Sequence, residues 1–150
     1  MWTKIFIWTA LVALLTVSGC GERRDMATLR RQAEQGDMNA QFRLGNCYRM
    51  GEGVLENKAE GIKWIRKAAE QGQVGAQFNL GMCYYKGDGL TEDIVEADKW
   101  MLLAGAAGEE QAGAVRKILV EKMNAAQVIA AKTKANTWHE DFERSHPVKQ

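Results

Sequence analysis

The chain has 150 residues, 20 Lys and Arg against 19 Asp and Glu, and a formal charge of +1. That balance excludes the basic excess with which nucleic-acid binders displace counterions, and the length suits one domain rather than two. Apolar residues make up 46%, too many for a disordered chain of low net charge.

Met1 to Cys20 reads MWTKIFIWTALVALLTVSGC. Lys4 gives a positive start. The apolar run from Ile5 to Val17 is shorter than the roughly 20 residues a membrane-spanning helix needs. A short run behind a basic start reads as a secretory signal, not an anchor. Val17-Ser18-Gly19-Cys20 resembles the lipobox of bacterial lipoproteins. The resemblance implies a signal peptide over 1–19, cleavage before Cys20, and acyl chains on that cysteine as the lipid attachment site, followed by a tether over 20–25. Two or three acyl chains hold a protein stably where one does so only marginally. Lys4 is the only charged residue of the leader, so the mature chain is formally neutral and the acyl chains alone hold it. Gly21, where an aspartate would imply inner-membrane retention, points to the periplasmic face of the outer membrane.

A repeat occupies the centre. AEQG at 33–36 recurs at 69–72, and Asp37–Gly72 aligns on Gln73–Gly108 without a gap, with 15 identities in 36 positions. This marks a duplicated structural unit. Gly36, Gly72 and Gly108 close one helix per unit, and Gly51-Glu52-Gly53 and Gly87-Asp88-Gly89 form the turn between a unit's two helices. Gly45 and Gly81 fall inside helices, at about 1 kcal/mol each against alanine, which predicts the close approach of a neighbouring helix. Apolar spacing within each unit is helical. It places a first helix, A, near 38–50 and 74–86 and a second, B, near 57–71 and 93–107. Met26–Gln35 reads as a lone B helix of a truncated leading unit.

Beyond Gly108 the pattern decays. Glu109–Met123 can form one more A helix, which closes a solenoid over 26–123. Asn124 and Gln127 fit a capping box for a helix running to about Phe142, before Pro147. Residues 124–150 thus read as a capping helix and tail, since terminal units of a solenoid must cover an exposed face.

The pattern Ala40, Leu44, Gly45, Tyr48, Gly51, Gly53, Val54, Trp64, Ala68 and Gly72 is similar to the Sel1-like repeat, a relative of the tetratricopeptide repeat. The second unit carries it through Leu90, Trp100, Ala104 and Gly108. Gly61 departs from it, where the family has alanine; Ala97 conforms. The resemblance implies an all-α fold, an α/α solenoid of antiparallel helix pairs that binds partners on its concave surface without catalysis of its own. On tetratricopeptide-like geometry, Asn39, Phe42, Asn46, Arg49 and Met50 line the inner face of the first A helix. Gly75, Phe78, Met82, Tyr85 and Lys86 are their counterparts. The units agree at core positions but differ here, and Tyr and Arg are common anchors of interfaces. Asn39, Asn46, Arg49, Met50, Met82, Tyr85 and Lys86 are therefore the candidate partner-binding residues.

Leu44, Tyr48, Trp64, Leu80, Tyr84 and Trp100 recur in phase and read as core. Cys47 and Cys83 sit at equivalent points of adjacent A helices. Packed helices lie about 8–10 Å apart, whereas a disulfide needs Cα atoms within about 7 Å, so both read as buried free thiols. Two distant cysteines do not make a zinc site. His139, on the last helix four residues from Glu143, and His146, near the C-terminus, read as surface histidines. No Ser/His/Asp set, CxxC, HExxH or Walker loop occurs, so no enzyme, metal or cofactor is expected.

These features point to a lipid-anchored envelope adaptor or scaffold. Its partner is another protein, either an envelope component or a secreted toxin that it neutralises as an immunity protein, such as a type VI phospholipase effector. The membrane is met through the acyl chains, and nucleic acid is not a partner. The alternative of another class is a periplasmic hydrolase of cell-wall or β-lactam substrates, for which the chain lacks a nucleophile and base.

Overall fold

The computed structural model describes residues 25–147 and holds seven helices and no strand among them. Helix α1 covers residues 25–34. It is followed by α2 (Met38–Met50), α3 (Lys58–Glu70), α4 (Val74–Lys86), α5 (Ile94–Ala106), α6 (Glu110–Lys122) and α7 (Ala125–Ser145). The helices alternate A and B at the repeat's spacing, with α2, α4 and α6 as A helices. The leader, Cys20 and the first residues of the tether lie outside the described residues.

Local chemistry sets the ends. Asp37, Gln73 and Glu109 cap the three A helices through side-chain acceptors, and Asn57 and Asp93 cap α3 and α5. These oxygens satisfy amides that a helix leaves without partners. Gly51 and Gly87 end α2 and α4 at φ 71° and 64°, a left-handed conformation open to glycine at little cost. Asn124 and Gln127 form a capping box at the start of α7.

Within each unit the A and B helices meet at glycine. A Cβ on Gly45 would lie 2.8 Å from the Gly61 carbonyl oxygen, and one on Gly61 would lie 2.6 Å from that of Gly45. The departure at Gly61 is thus half of a glycine–glycine crossing. In the second unit Gly81 faces Ala97, and its Cβ would sit 3.2 Å from the Ala97 carbonyl, a slightly wider crossing.

Polar ties join successive units at repeated positions. Arg30 donates to the Tyr48 hydroxyl, and Arg66 Nη2 donates to that of Tyr84 at 2.7 Å. The buried Gln41 and Gln77 side-chain amides donate to the carbonyls of Ala33 and Ala69. The third junction has none of these, because the equivalent positions hold Leu102, Val120 and Gly113.

One core pair changes character along the chain. Met26 with Leu44, and Ile62 with Leu80, share apolar clusters. The equivalent third pair is Asp98 and Arg116, an ion pair with Arg116 Nε 2.9 Å from Asp98 Oδ1. Asp98 is fully buried, its Oδ2 has no hydrogen-bond partner, and burial pushes its carboxyl up despite Arg116 beside it. Helix α7 closes the stack against α5. Trp138 meets Trp100 edge-on with centroids 6.2 Å apart, then stacks on Phe142 at 4.8 Å. Phe142 stacks on His146 at 4.4 Å, and Ser145 donates to the Asp141 and Phe142 carbonyls. These contacts carry α7 three residues past Phe142.

An ion pair in an apolar position is costly to break and rarely better than the apolar pair it replaces. Arg116→Leu alone should lose about 3 kcal/mol in urea unfolding. Adding Asp98→Ile should restore stability to wild type or above. A double variant less stable than Arg116→Leu would contradict this.

Candidate partner-binding face

Contacts across the turns of the solenoid set α2, α4 and α6 side by side. Phe42 of α2 fills the space beside Gly75, whose Cβ would lie 3.2 Å from the ring. Asn79 Nδ2 donates to Asn46 Oδ1 at 3.3 Å. Between α4 and α6, Lys122 Nζ donates to the Tyr85 hydroxyl at 2.9 Å and lies over its ring. The result is a continuous face of A helices.

The candidate binding residues differ in how free they are. Asn39 and Lys86 are exposed, and Met50 is 63% exposed. Asn46 is half-buried and engaged by Asn79. Met82 and Tyr85 are half-buried against the apolar cluster built by Ala97, Met101, Ala104, Ala112 and Leu119, and Tyr85 is further held by Lys122. Arg49 does not stand free. Its Nη2 lies 2.7 Å from Asp88 Oδ2, while Lys58 Nζ lies 2.9 Å from Asp88 Oδ1. Lys58 and Arg49 hold the Asp88 carboxyl below its ordinary range. Asp88 belongs to the second unit's turn, so Arg49 fastens one unit to the next rather than awaiting a partner.

The third A helix completes the face. Ile118, at the position of Asn46 and Met82, is 47% exposed. Lys122 takes the place of Met50 and Lys86. Reading the row therefore gives Asn46, Met82, Ile118, polar at one end and apolar at the other. The 36-residue offset alone points to Ile118.

The recurrent residues lie beneath. Leu44, Leu80 and Trp100 are fully buried. Tyr48, Tyr84 and Trp64 are half-buried and packed against the clusters. A lysine ammonium lies over each ring, Lys67 over Trp64 at 4.2 Å and Lys99 over Trp100 at 4.3 Å, but Trp100 is also met edge-on by Trp138, which makes it the more buried of the two. Cys47 and Cys83 are both free thiols, but only Cys83 is buried as expected, while Cys47 is half-buried; burial pushes both thiols up, which disfavours the reactive thiolate. His139 faces Glu143 at 3.2 Å on the exposed side of α7. No group of three or more metal-ligating side chains occurs among the described residues, nor a helix long and apolar enough to cross a membrane.

The Sel1 repeat family matches residues 39–73 and 74–109. Among solved structures, a protective antigen present in uropathogenic Escherichia coli strains and displaying an SLR fold is 32% identical, with a TM-score of 0.74. That likeness covers 85% of this chain and 29% of the antigen, so the chain spans under a third of that protein. A Sel1 repeat protein from Oxalobacter formigenes is 29% identical at a TM-score of 0.61, over 81% of this chain and 98% of that one. No curated protein matches the chain.

A carboxyl whose pKa is lowered by folding stabilises the fold above its unfolded value, near 4, and that contribution disappears as the pH falls through the folded value. Asp88→Asn should therefore cost about 1 kcal/mol at pH 7 and almost nothing at pH 2.5, read as melting temperature. Equal melting of variant and wild type at pH 7 would leave Arg49 free for a partner.

Proposed function

Because the chain is a Sel1-repeat protein, and Sel1 repeats are generally protein–protein interaction modules, we propose that it is a lipid-anchored envelope adaptor whose A-helix face binds another protein. The observation that carries this reading is the row from Asn46 through Met82 to Ile118. It continues across three helices and leaves Ile118 and Met50 open to water. Solenoids bind on the surface that their stacked units share. Exposed apolar residues rimmed by polar ones, here Asn39, Lys86 and Lys122, suit an interface.

Cys20 carries the anchor on this reading. The described chain begins beside the first A–B turn, where a Cβ on Gly53 would lie 2.9 Å from Met26 Cγ. An extended chain reaches at most about 3.6 Å per residue, so acyl chains on Cys20 hold that edge near the membrane. A neutral, tethered module of this size suits stoichiometric capture. The sharper form of the proposal is an immunity protein that plugs a periplasm-acting secreted toxin. The fold is typically a non-enzymatic scaffold, and catalysis has no part in this reading.

Site-specific photocrosslinking in the native envelope tests it. A benzoylphenylalanine at Met82 or Ile118 should capture a partner that one at Lys63, on α3, does not. Met82→Glu with Ile118→Glu should weaken the isolated complex about tenfold or more, equivalent to about 1.4 kcal/mol. Cys20→Ala should release the chain from membranes and reduce capture. Equal capture from Lys63 would move binding off this face, and unchanged membrane fractionation of Cys20→Ala would remove the anchor.

A further inference from the structure

The third unit is built differently from the first two at the points where its helices should meet. The glycine that lets A and B helices cross, Gly45 and Gly81, becomes Lys117. The Gly-x-Gly turn is missing, and α6 is joined to α7 by Met123 and Asn124 alone. A lysine cannot occupy a crossing where a Cβ on the equivalent glycine would already press on backbone. Consistent with this, α6 and α7 each pack on α5 but share little contact with one another.

A cleft of about 410 Å³ lies between α6 and α7. Gly113, at the position of the tying residues Gln41 and Gln77, leaves its upper wall bare, with nothing within 4 Å of where a Cβ would sit. Val120 and Val128 supply its apolar lining, and Lys117 and Lys132 stand on its two walls. Neither lysine makes an ion pair among the described residues. Arg116, 30% exposed, also lines the cleft, with its Nε on Asp98. The one acid in the lining is Glu121. The cleft thus presents two unpaired cations, a partly paired third and an apolar strip, open along its length.

We propose that this cleft is a second docking site, which takes an acidic amphipathic peptide segment of another protein. Carboxylates of the segment meet Lys117 and Lys132, and its apolar side chains lie along Val120 and Val128. Charge complementarity selects this occupant. Two ammonium groups on opposite walls attract a carboxylate-bearing chain, and the apolar strip between them gives that chain a hydrophobic side to bury. The site meets the A-helix face only at Glu121, the counterpart of Arg49 and Tyr85, and its test uses lysines outside that face.

A random 12-residue peptide library displayed on phage supplies the probe. The full chain is the bait, and Lys117→Glu with Lys132→Glu is the counter-selection bait. Recovered peptides should combine Asp or Glu with apolar residues. In fluorescence anisotropy they should bind wild type at least tenfold more tightly than the double-lysine variant, and lose affinity as salt rises from 0.15 to 0.5 M. The Met82→Glu, Ile118→Glu variant should bind them as wild type does, which keeps this outcome distinct from the fate of the A-helix face. Circular dichroism of the lysine variant, whose changes are on exposed positions, should match wild type. Peptides without acidic enrichment, or equal binding by the lysine variant, would overturn the proposal. So would retention of wild type but not the variant on phosphatidylglycerol vesicles, which would place a membrane there. A dimer in sedimentation that the variant loses would overturn it too, by placing a second copy there.

Discussion

The backbone-to-backbone crossing of Gly45 with Gly61, repeated less tightly by Gly81 with Ala97, is the constraint on which the structure depends. It brings the two helices of a unit close enough for Ile62, Ile65 and Ala68 to be buried between neighbours. It also fixes where the next A helix lands. A side chain at the crossing would push the helices apart, and interiors packed at crystal-like density accommodate such a shift poorly. The third unit shows the alternative within the same molecule. With Lys117 at the crossing position, α6 and α7 stand apart and a cleft remains between them.

Between units the bonds are polar and positional rather than merely apolar. Tyrosine hydroxyls receive arginines, and buried glutamines donate to the last carbonyls of the preceding B helix. A buried amide that finds its acceptor stabilises modestly, but one left unmade is expensive, so these ties select a single stacking register. Where they run out, the Asp98–Arg116 pair and the Trp100, Trp138, Phe142 ladder take over. The solenoid therefore has one end built by repetition and another built by a long helix of different design. Both proposed docking surfaces follow from that arrangement: the A-helix face from what repeats, and the cleft from what fails to.

The helices were legible in the sequence because glycine turns, capping residues and apolar spacing are local signals that the duplication displays twice. The close helix approach expected at Gly45 and Gly81 is present, but the meaning of Gly61 was not readable, since its partner lies across the crossing. Variation between units gives Arg49 the look of an anchor. Its engagement with Asp88 joins residues 39 positions apart in different units, and no spacing within one unit reveals it. Ile118 was within reach of the same offset that found Met82. The faded identities of the third unit hide it from the repeat pattern. Trp64 and Trp100 look alike in the repeat, yet their burial differs through Trp138, which lies outside it.

The claim that glycine crossings hold the units closed is tested most directly by Gly45→Ala beside Gly113→Ala, measured by equilibrium urea unfolding. Alanine is the better helix former at both positions by about 1 kcal/mol, so local propensity predicts a gain twice. The crossing predicts opposite signs. Gly45→Ala should lose about 2 kcal/mol, since overpacking a tight contact costs about 1–3 kcal/mol and more where backbone must move. Gly113→Ala, with open space around it, should gain about 0.5–1 kcal/mol. A Gly45→Ala chain as stable as wild type, or more so, would contradict the account.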